Sequence, residues 1–298
     1  MSFTMKIGLH AAMLERRFPN PVEAVTRAAA LGAESYEIDL GIGAEPWAER
    51  RNAFRQRIPA LRETAARTGT KLSSLCLGTL WQTSLASPDP DERAQGVRVV
   101  RDVCGFAPRL GASVLLLPVG QPEGLETARA RDNLVGSLRA CSETARDAGV
   151  TLALENVCQP FLETAEGLLE VVTAVDSPTC GVYYDLGNAG FVGQDPVIEL
   201  QTVAPHLVRV HAKDTVSVRR DRPPLPSVPI TGDFTVWQRR TTVTLGSGEV
   251  DLEACAGVLR DIGYTEGVVI EVPQPPERAE AGCRDNLAAA RRLFGGAA

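Results

Sequence analysis

The sequence predicts an α/β protein, a (β/α)8 barrel in a single domain over residues 1–298, and three observations carry that prediction. Short, β-rich apolar runs alternate with longer amphipathic stretches along the whole chain. The strand-like runs are almost continuously apolar, as in a parallel sheet whose outer face is covered by helices. Eight such runs are found, the number that closes a barrel of this kind, and 298 residues lie within its usual range.

In order, the expected strands are KIGLH (6–10), SYEID (35–39), KLSSLCL (71–77), SVLLLPV (113–119), TLALEN (151–156), GVYYDL (181–186), LVRVHAK (207–213) and GVVIEV (267–272). Helical patterns lie between them at 21–32, 54–69, 92–111, 131–149, 165–175, 252–263 and 284–294. Gly32, Gly69, Gly111, Gly149 and Gly263 stand where these helices end, and glycine readily takes the left-handed conformation that closes a helix. No G-x-G-x-x-G opens a helix, so an open dinucleotide-binding sheet lacks its signature. One stretch breaks the rhythm. Residues 215–246 are too long and too rich in proline for a βα loop, and an excursion at that place is expected to act as a lid or binding loop.

Composition narrows the partners. The chain has 31 Lys+Arg against 37 Asp+Glu, a net charge of −6, where a nucleic-acid binder shows a basic surplus that neutralises phosphates. Its seven cysteines (76, 104, 141, 158, 180, 255 and 283) are scattered singly with no C-x-x-C, which reads as a reduced, cytoplasmic protein. No run approaches the ~18 apolar residues that span a bilayer, and the N-terminal MSFTMKIGLHAAM has no long apolar stretch before its first strand. The expected partner is a small molecule, with neither nucleic acid nor membrane.

The chemistry gathers at strand ends. The fifth strand ends in Glu155-Asn156, the sixth in Asp185, the seventh in His211-Ala212-Lys213-Asp214 and the eighth in Glu271. Charges inside runs this apolar are costly unless paired or bound to a metal. Any one of them alone reads equally as a helix cap, a salt bridge or a core histidine. In a barrel, however, the C-terminal ends of all strands meet at one mouth. Three carboxylates and an imidazole brought together there call for a divalent cation as neutraliser. Oxygen-rich ligation with one nitrogen suits Mn2+ or Mg2+, with Co2+ and Zn2+ admissible. The absence of cysteine among these residues argues against a structural zinc site.

The segments that carry these residues, TLALEN, GVYYDLGNAG, LVRVHAKD and LGSGEVDLEACAGVLRDIGYTEGVVIEV, closely resemble the xylose isomerase-like barrels, in particular their sugar phosphate isomerase and epimerase branch. The likeness is specific over 150–273 and continues more weakly through Gly8, His10 and the strand around Glu37. It implies one divalent ion, Mn2+ foremost, held by Glu155, Asp185, His211 and Glu271, with Glu155 and Glu271 also serving as acid and base. The implied reaction is proton transfer at a carbon next to a carbonyl through an enediolate, isomerising or epimerising a sugar, a sugar phosphate or a related keto-polyol. The alternative on the same scaffold is a dehydratase of the inosose or dehydroshikimate type. A nuclease of the endonuclease IV kind is disfavoured, since the chain has only the three histidines His10, His206 and His211. The resemblance also implies pairing into a homodimer.

Departures from the pattern weaken a free-ketose 3-epimerase assignment. Phe161 stands where those enzymes have a second glutamate, Asn188 where they have a histidine, and Ser217 where an arginine is usual, with Arg219 and Arg220 nearby. The expected substrate contacts are His10, Glu37, Asn188, Lys213, Asp214 and Arg219, with Glu37 rather than Asp39 pointing inward. Trp81 and Trp237 are candidate walls for a sugar ring, and Arg219, Arg220 and Arg222 are candidates for binding a phosphate.

Overall fold

The structure, a computed structural model, describes residues 5–217 and 240–295. Seven strands follow one another around a ring: β1 (Ile7–His10), β2 (Ser35–Asp39), β3 (Lys71–Cys76), β4 (Val114–Leu117), β5 (Thr151–Glu155), β6 (Cys180–Asp185) and β7 (Leu207–Ala212). Then β8 (Asp214–Ser217) and β9 (Arg240–Val243) form an antiparallel pair of their own, and β10 (Val268–Ile270) supplies the eighth barrel strand. All barrel pairings are parallel, and β10 lies between β7 and β1 to shut the ring. The closed (β/α)8 barrel expected from the sequence is therefore the fold. Of residues 215–246, 215–217 lie in β8, 240–243 in β9 and 244–246 in the turn that follows, while 218–239 of that expected lid lie outside the described residues.

The helices cover the outer face: α1 (Pro21–Ala30), α2 (Trp47–Thr68), α3 (Pro90–Cys104), α4 (Ala107–Leu110), α5 (Thr127–Ala148), α6 (Ala165–Val175), α7 (Leu186–Val192), α8 (Pro196–Val203), α9 (Leu252–Asp261) and α10 (Ala279–Phe294). Three boundaries differ from expectation. The helix expected from 54 starts at Trp47, because its first two turns, WAERRNA, are good helix formers without an apolar stripe to announce them. The helix expected over 92–111 breaks after Cys104, since the ring of Pro108 has no N–H to give and would crowd the Cys104 carbonyl. The connection from β6 to β7 holds α7 and α8, of 7 and 8 residues, too short to show periodicity.

Two cores result. The large one fills the space between strands and helices. A small second one, Cys76, Val114, Leu116, Ala153 and Tyr183, lies inside the barrel. Side chains alternate faces along a strand, so Glu155 shares the inner face with Ala153, and Asp185 with Tyr183. The barrel interior is thus apolar on one side and ionisable towards its mouth. The seven cysteines are all free thiols, six of them buried.

Candidate metal centre

Glu155, Asp185, His211 and Glu271 each offer one ligand atom, and these atoms lie within 4.8 Å of one another. His211 Nδ1 is 3.4 Å from Glu271 Oε2, 3.5 Å from Glu155 Oε1 and 3.9 Å from Asp185 Oδ2. The strand ends are tied together locally. Asn156 donates from Nδ2 to the Asp185 carbonyl at 2.9 Å and accepts the Asp185 N–H at 2.6 Å, stapling β5 to β6. Glu271 follows β10 and donates its N–H to the Ala212 carbonyl at 3.0 Å.

Asp185 divides its oxygens between two tasks. Oδ1 caps α7, accepting the N–H groups of Gly187 and Asn188 at 2.8 and 3.0 Å, as the residue before a helix commonly does. Oδ2 faces the centre. Lys213 reaches in beside it, with Nζ 2.7 Å from Asp185 Oδ2, 2.8 Å from Glu271 Oε2 and 3.1 Å from Asn188 Oδ1. Gly187 makes room for this: a Cβ there would stand 2.6 Å from the Lys213 Cβ and Cγ. Asn188 in turn donates to Glu155 Oε1 at 3.4 Å.

The electrostatics are those of a site short of positive charge. Burial, with Glu271 and Glu155 adding to it, pushes Asp185 up to about 6 in spite of Lys213. Burial alone would depress Lys213, yet Asp185, Glu271 and Glu155 hold it well above the ordinary lysine range. Among the described residues His211 Nδ1, Asp185 Oδ2 and Glu271 Oε2 are buried without a hydrogen bond, the two carboxylate oxygens being ion-paired to Lys213 Nζ. Buried polar atoms left this way are rare. Three inward carboxylates and one imidazole nitrogen form a donor set that fits a divalent cation.

Above the centre opens a cleft of about 1620 Å³, lined among others by His10, Asp39, Trp81, Glu155, Lys213 and Glu271. His10 is buried at its floor, and its Nδ1 accepts the Ala12 N–H at 3.0 Å, so Nε2 carries the hydrogen. Asn188 and Lys213 also line the cleft. Two expected substrate contacts are corrected. Glu37 is 0% exposed. Its carboxylate lies beneath His211, with Oε1 2.7 Å from His211 Nε2, Oε2 accepting the Tyr183 hydroxyl at 2.8 Å, and Ser74 Oγ also bonded to Oε2. Asp39, one step further along the same face, is the residue that lines the cleft. Asp214 spends both oxygens on backbone, accepting N–H groups from Thr215, Gly246, Gly248 and Val250 at 2.8–3.2 Å. Arg219, Arg220, Arg222 and Trp237 lie outside the described residues. Ser74 and Tyr183 were missed, although a polar residue in an apolar strand and a tyrosine two before Asp185 were both signals for the inner face.

A family model described as the xylose isomerase-like TIM barrel matches residues 25–293. The chain belongs to that family. Among curated relatives, L-ribulose-5-phosphate 3-epimerase UlaE of Escherichia coli K12 is 32% identical over 228 residues, covering 75% of this chain and 72% of that one. The UlaE of Salmonella typhi is 30% identical over 223 residues, covering 73% and 70%. Among solved structures, the IOLI protein with a bound zinc atom superposes with a TM-score of 0.77 at 18% identity, covering 97% and 98% of the two chains. D-psicose 3-epimerase with D-tagatose from Clostridium cellulolyticum H10 gives 0.74 at 17% identity, covering 98% and 100%. The 3-keto-D-glucoside 4-epimerase YcjR of E. coli gives 0.73 at 17%, covering 97% and 99%. At such identities the structural likeness speaks for the barrel.

Proposed function

We propose that this protein is a divalent-metal-dependent epimerase or isomerase that moves a proton at a carbon next to a carbonyl in a sugar, sugar phosphate or related keto-polyol. The observation that carries the reading is the convergence of Glu155, Asp185, His211 and Glu271, with His211 Nδ1 buried and without a hydrogen-bond partner among the described residues, at the floor of an open cleft. Relatives named as epimerases support it.

Glu155, Asp185, His211 and Glu271 would hold the cation, Mn2+ foremost, which supplies Lewis-acid stabilisation for charge developing beside a carbonyl. Glu155 and Glu271 come from strands on opposite sides of β6 and β7 and meet across His211 Nδ1. Two carboxylates so placed can take a proton from one face of a substrate carbon and return one from the other, which inverts that carbon. Return to the neighbouring carbon isomerises it instead. Lys213, with Nζ fixed between Asp185 and Glu271, places a permanent positive charge where an enediolate oxygen needs one. His10, at the floor of the same cleft, offers its Nε2–H for a substrate hydroxyl.

The test is proton exchange. With Mn2+ added, a panel of ketoses, ketose phosphates and inososes in deuterated water should include substrates that gain deuterium next to the carbonyl, read by proton NMR. A panel that takes up no deuterium overturns the proposal. Appearance of an ultraviolet-absorbing enone without exchange would move the protein to the dehydratases.

A further inference from the structure

We infer that Glu37 is a positioning residue that sets the tautomer of His211 and so makes its Nδ1 a metal donor. The inference rests on the metal reading above and extends it to a residue that touches neither cation nor substrate.

A neutral imidazole has one N–H and one lone pair. His211 Nδ1 faces carboxylate oxygens of Glu155, Asp185 and Glu271 at 3.4–3.9 Å. Left to themselves, those three anions would draw the hydrogen onto Nδ1 and turn the lone pair away from them. Glu37 reverses the preference. Its Oε1 lies 2.7 Å from Nε2, a carboxylate can only accept there, and the hydrogen is therefore held on Nε2.

The carboxylate is itself held. Tyr183, from β6, and Ser74, from β3, both donate to Oε2, which leaves Oε1 to the histidine. Partners that orient a metal-bound histidine in this way typically change metal affinity 10–100-fold when removed.

Co2+ is the probe. Its affinity is read by calorimetry and by its visible absorption, beside melting curves of the metal-free proteins. Glu37→Met, which removes the acceptor, should bind Co2+ about 10–100-fold more weakly than wild type. Glu37→Gln, which keeps an acceptor oxygen, should recover most of that loss. Because Glu37→Met orphans two hydroxyls, the triple variant Glu37→Met/Tyr183→Phe/Ser74→Ala repeats the test with a matched apolar interior. Wild-type affinity in a folded Glu37→Met or triple variant overturns the inference, as does Glu37→Gln binding no better than Glu37→Met. Independently of any variant, nitrogen-15 spectra of the Zn2+-loaded wild type should show His211 with its hydrogen on Nε2, and the opposite tautomer overturns the inference. A wild type that takes up no Co2+ overturns the metal reading itself, whereas tight wild-type binding with unchanged variants overturns the role of Glu37 alone.

Discussion

Glu155 and Glu271 each bring a carboxylate oxygen to within 3.5 Å of His211 Nδ1, and the proposed chemistry gives each a proton to handle. Glu155→Gln and Glu271→Gln should each slow deuterium exchange by about 10²–10⁴-fold, measured on the substrate found in the panel. Lys213 permits a different test. Replacing it with Met leaves Asp185 and Glu271 buried without their cation, and breaking a buried pair from one side costs about 3–5 kcal/mol. Urea denaturation of metal-free Lys213→Met should show a loss of that order, much reduced with saturating Mn2+; equal losses with and without Mn2+ would count against a cation at this centre. Residues of this kind were legible because an ionisable side chain closing an apolar strand has few inexpensive explanations. Depth was not legible. Glu37 and Asp39 share one face of β2, and period-2 alternation cannot tell which is swallowed by the barrel and which reaches the cleft. Nor does the run HAKD disclose that Lys213 turns inward while Asp214 turns to the backbone of 246–250.

Among the elements, the β8–β9 pair and the segment after it depend on Asp214. Its two oxygens accept four backbone N–H groups, and a Cβ at Gly248 would run into Oδ1 while standing 2.8 Å from the Thr215 carbonyl. Asp214→Asn replaces one acceptor by an NH2 group, which faces two of these amides with a donor in place of an acceptor. A loss of about 2–3 kcal/mol is expected, read by chemical denaturation. Co2+ affinity should hold near the wild-type value, which separates a residue that shapes the loop from one that serves the centre. The elements themselves were largely legible where they were long. α5 and α6 announce their apolar stripes, whereas α7 and α8 were invisible because two turns hold too few residues for a period. The split between α3 and α4 was written in Pro108, a cue that the apolar pattern running across it concealed.

For the whole molecule, metal and stability should be linked. A cation that binds the folded chain alone stabilises it by about 2.7 kcal/mol at a hundred times its dissociation constant. Thermal melts in Mn2+ should therefore sit above those in EDTA and climb with metal concentration, and coincident melts would deny the centre a cation. The closed ring was legible as a count of eight apolar runs. The β8–β9 pair flanking the long proline-rich stretch was not, because its segments DTVS and RTTV hold a single apolar side chain each and carry no apolar signal.

Ring closure carries one more implication. The last candidate ligand, Glu271, directly follows the strand that bridges β7 and β1. A chain emerging from synthesis thus has three of the four candidate ligands before it has the fourth, and the fourth arrives only when the two ends of the sheet meet. Metal capture should accordingly be a late folding event that locks the seam, and the dwell time of the ion should report how often that seam opens.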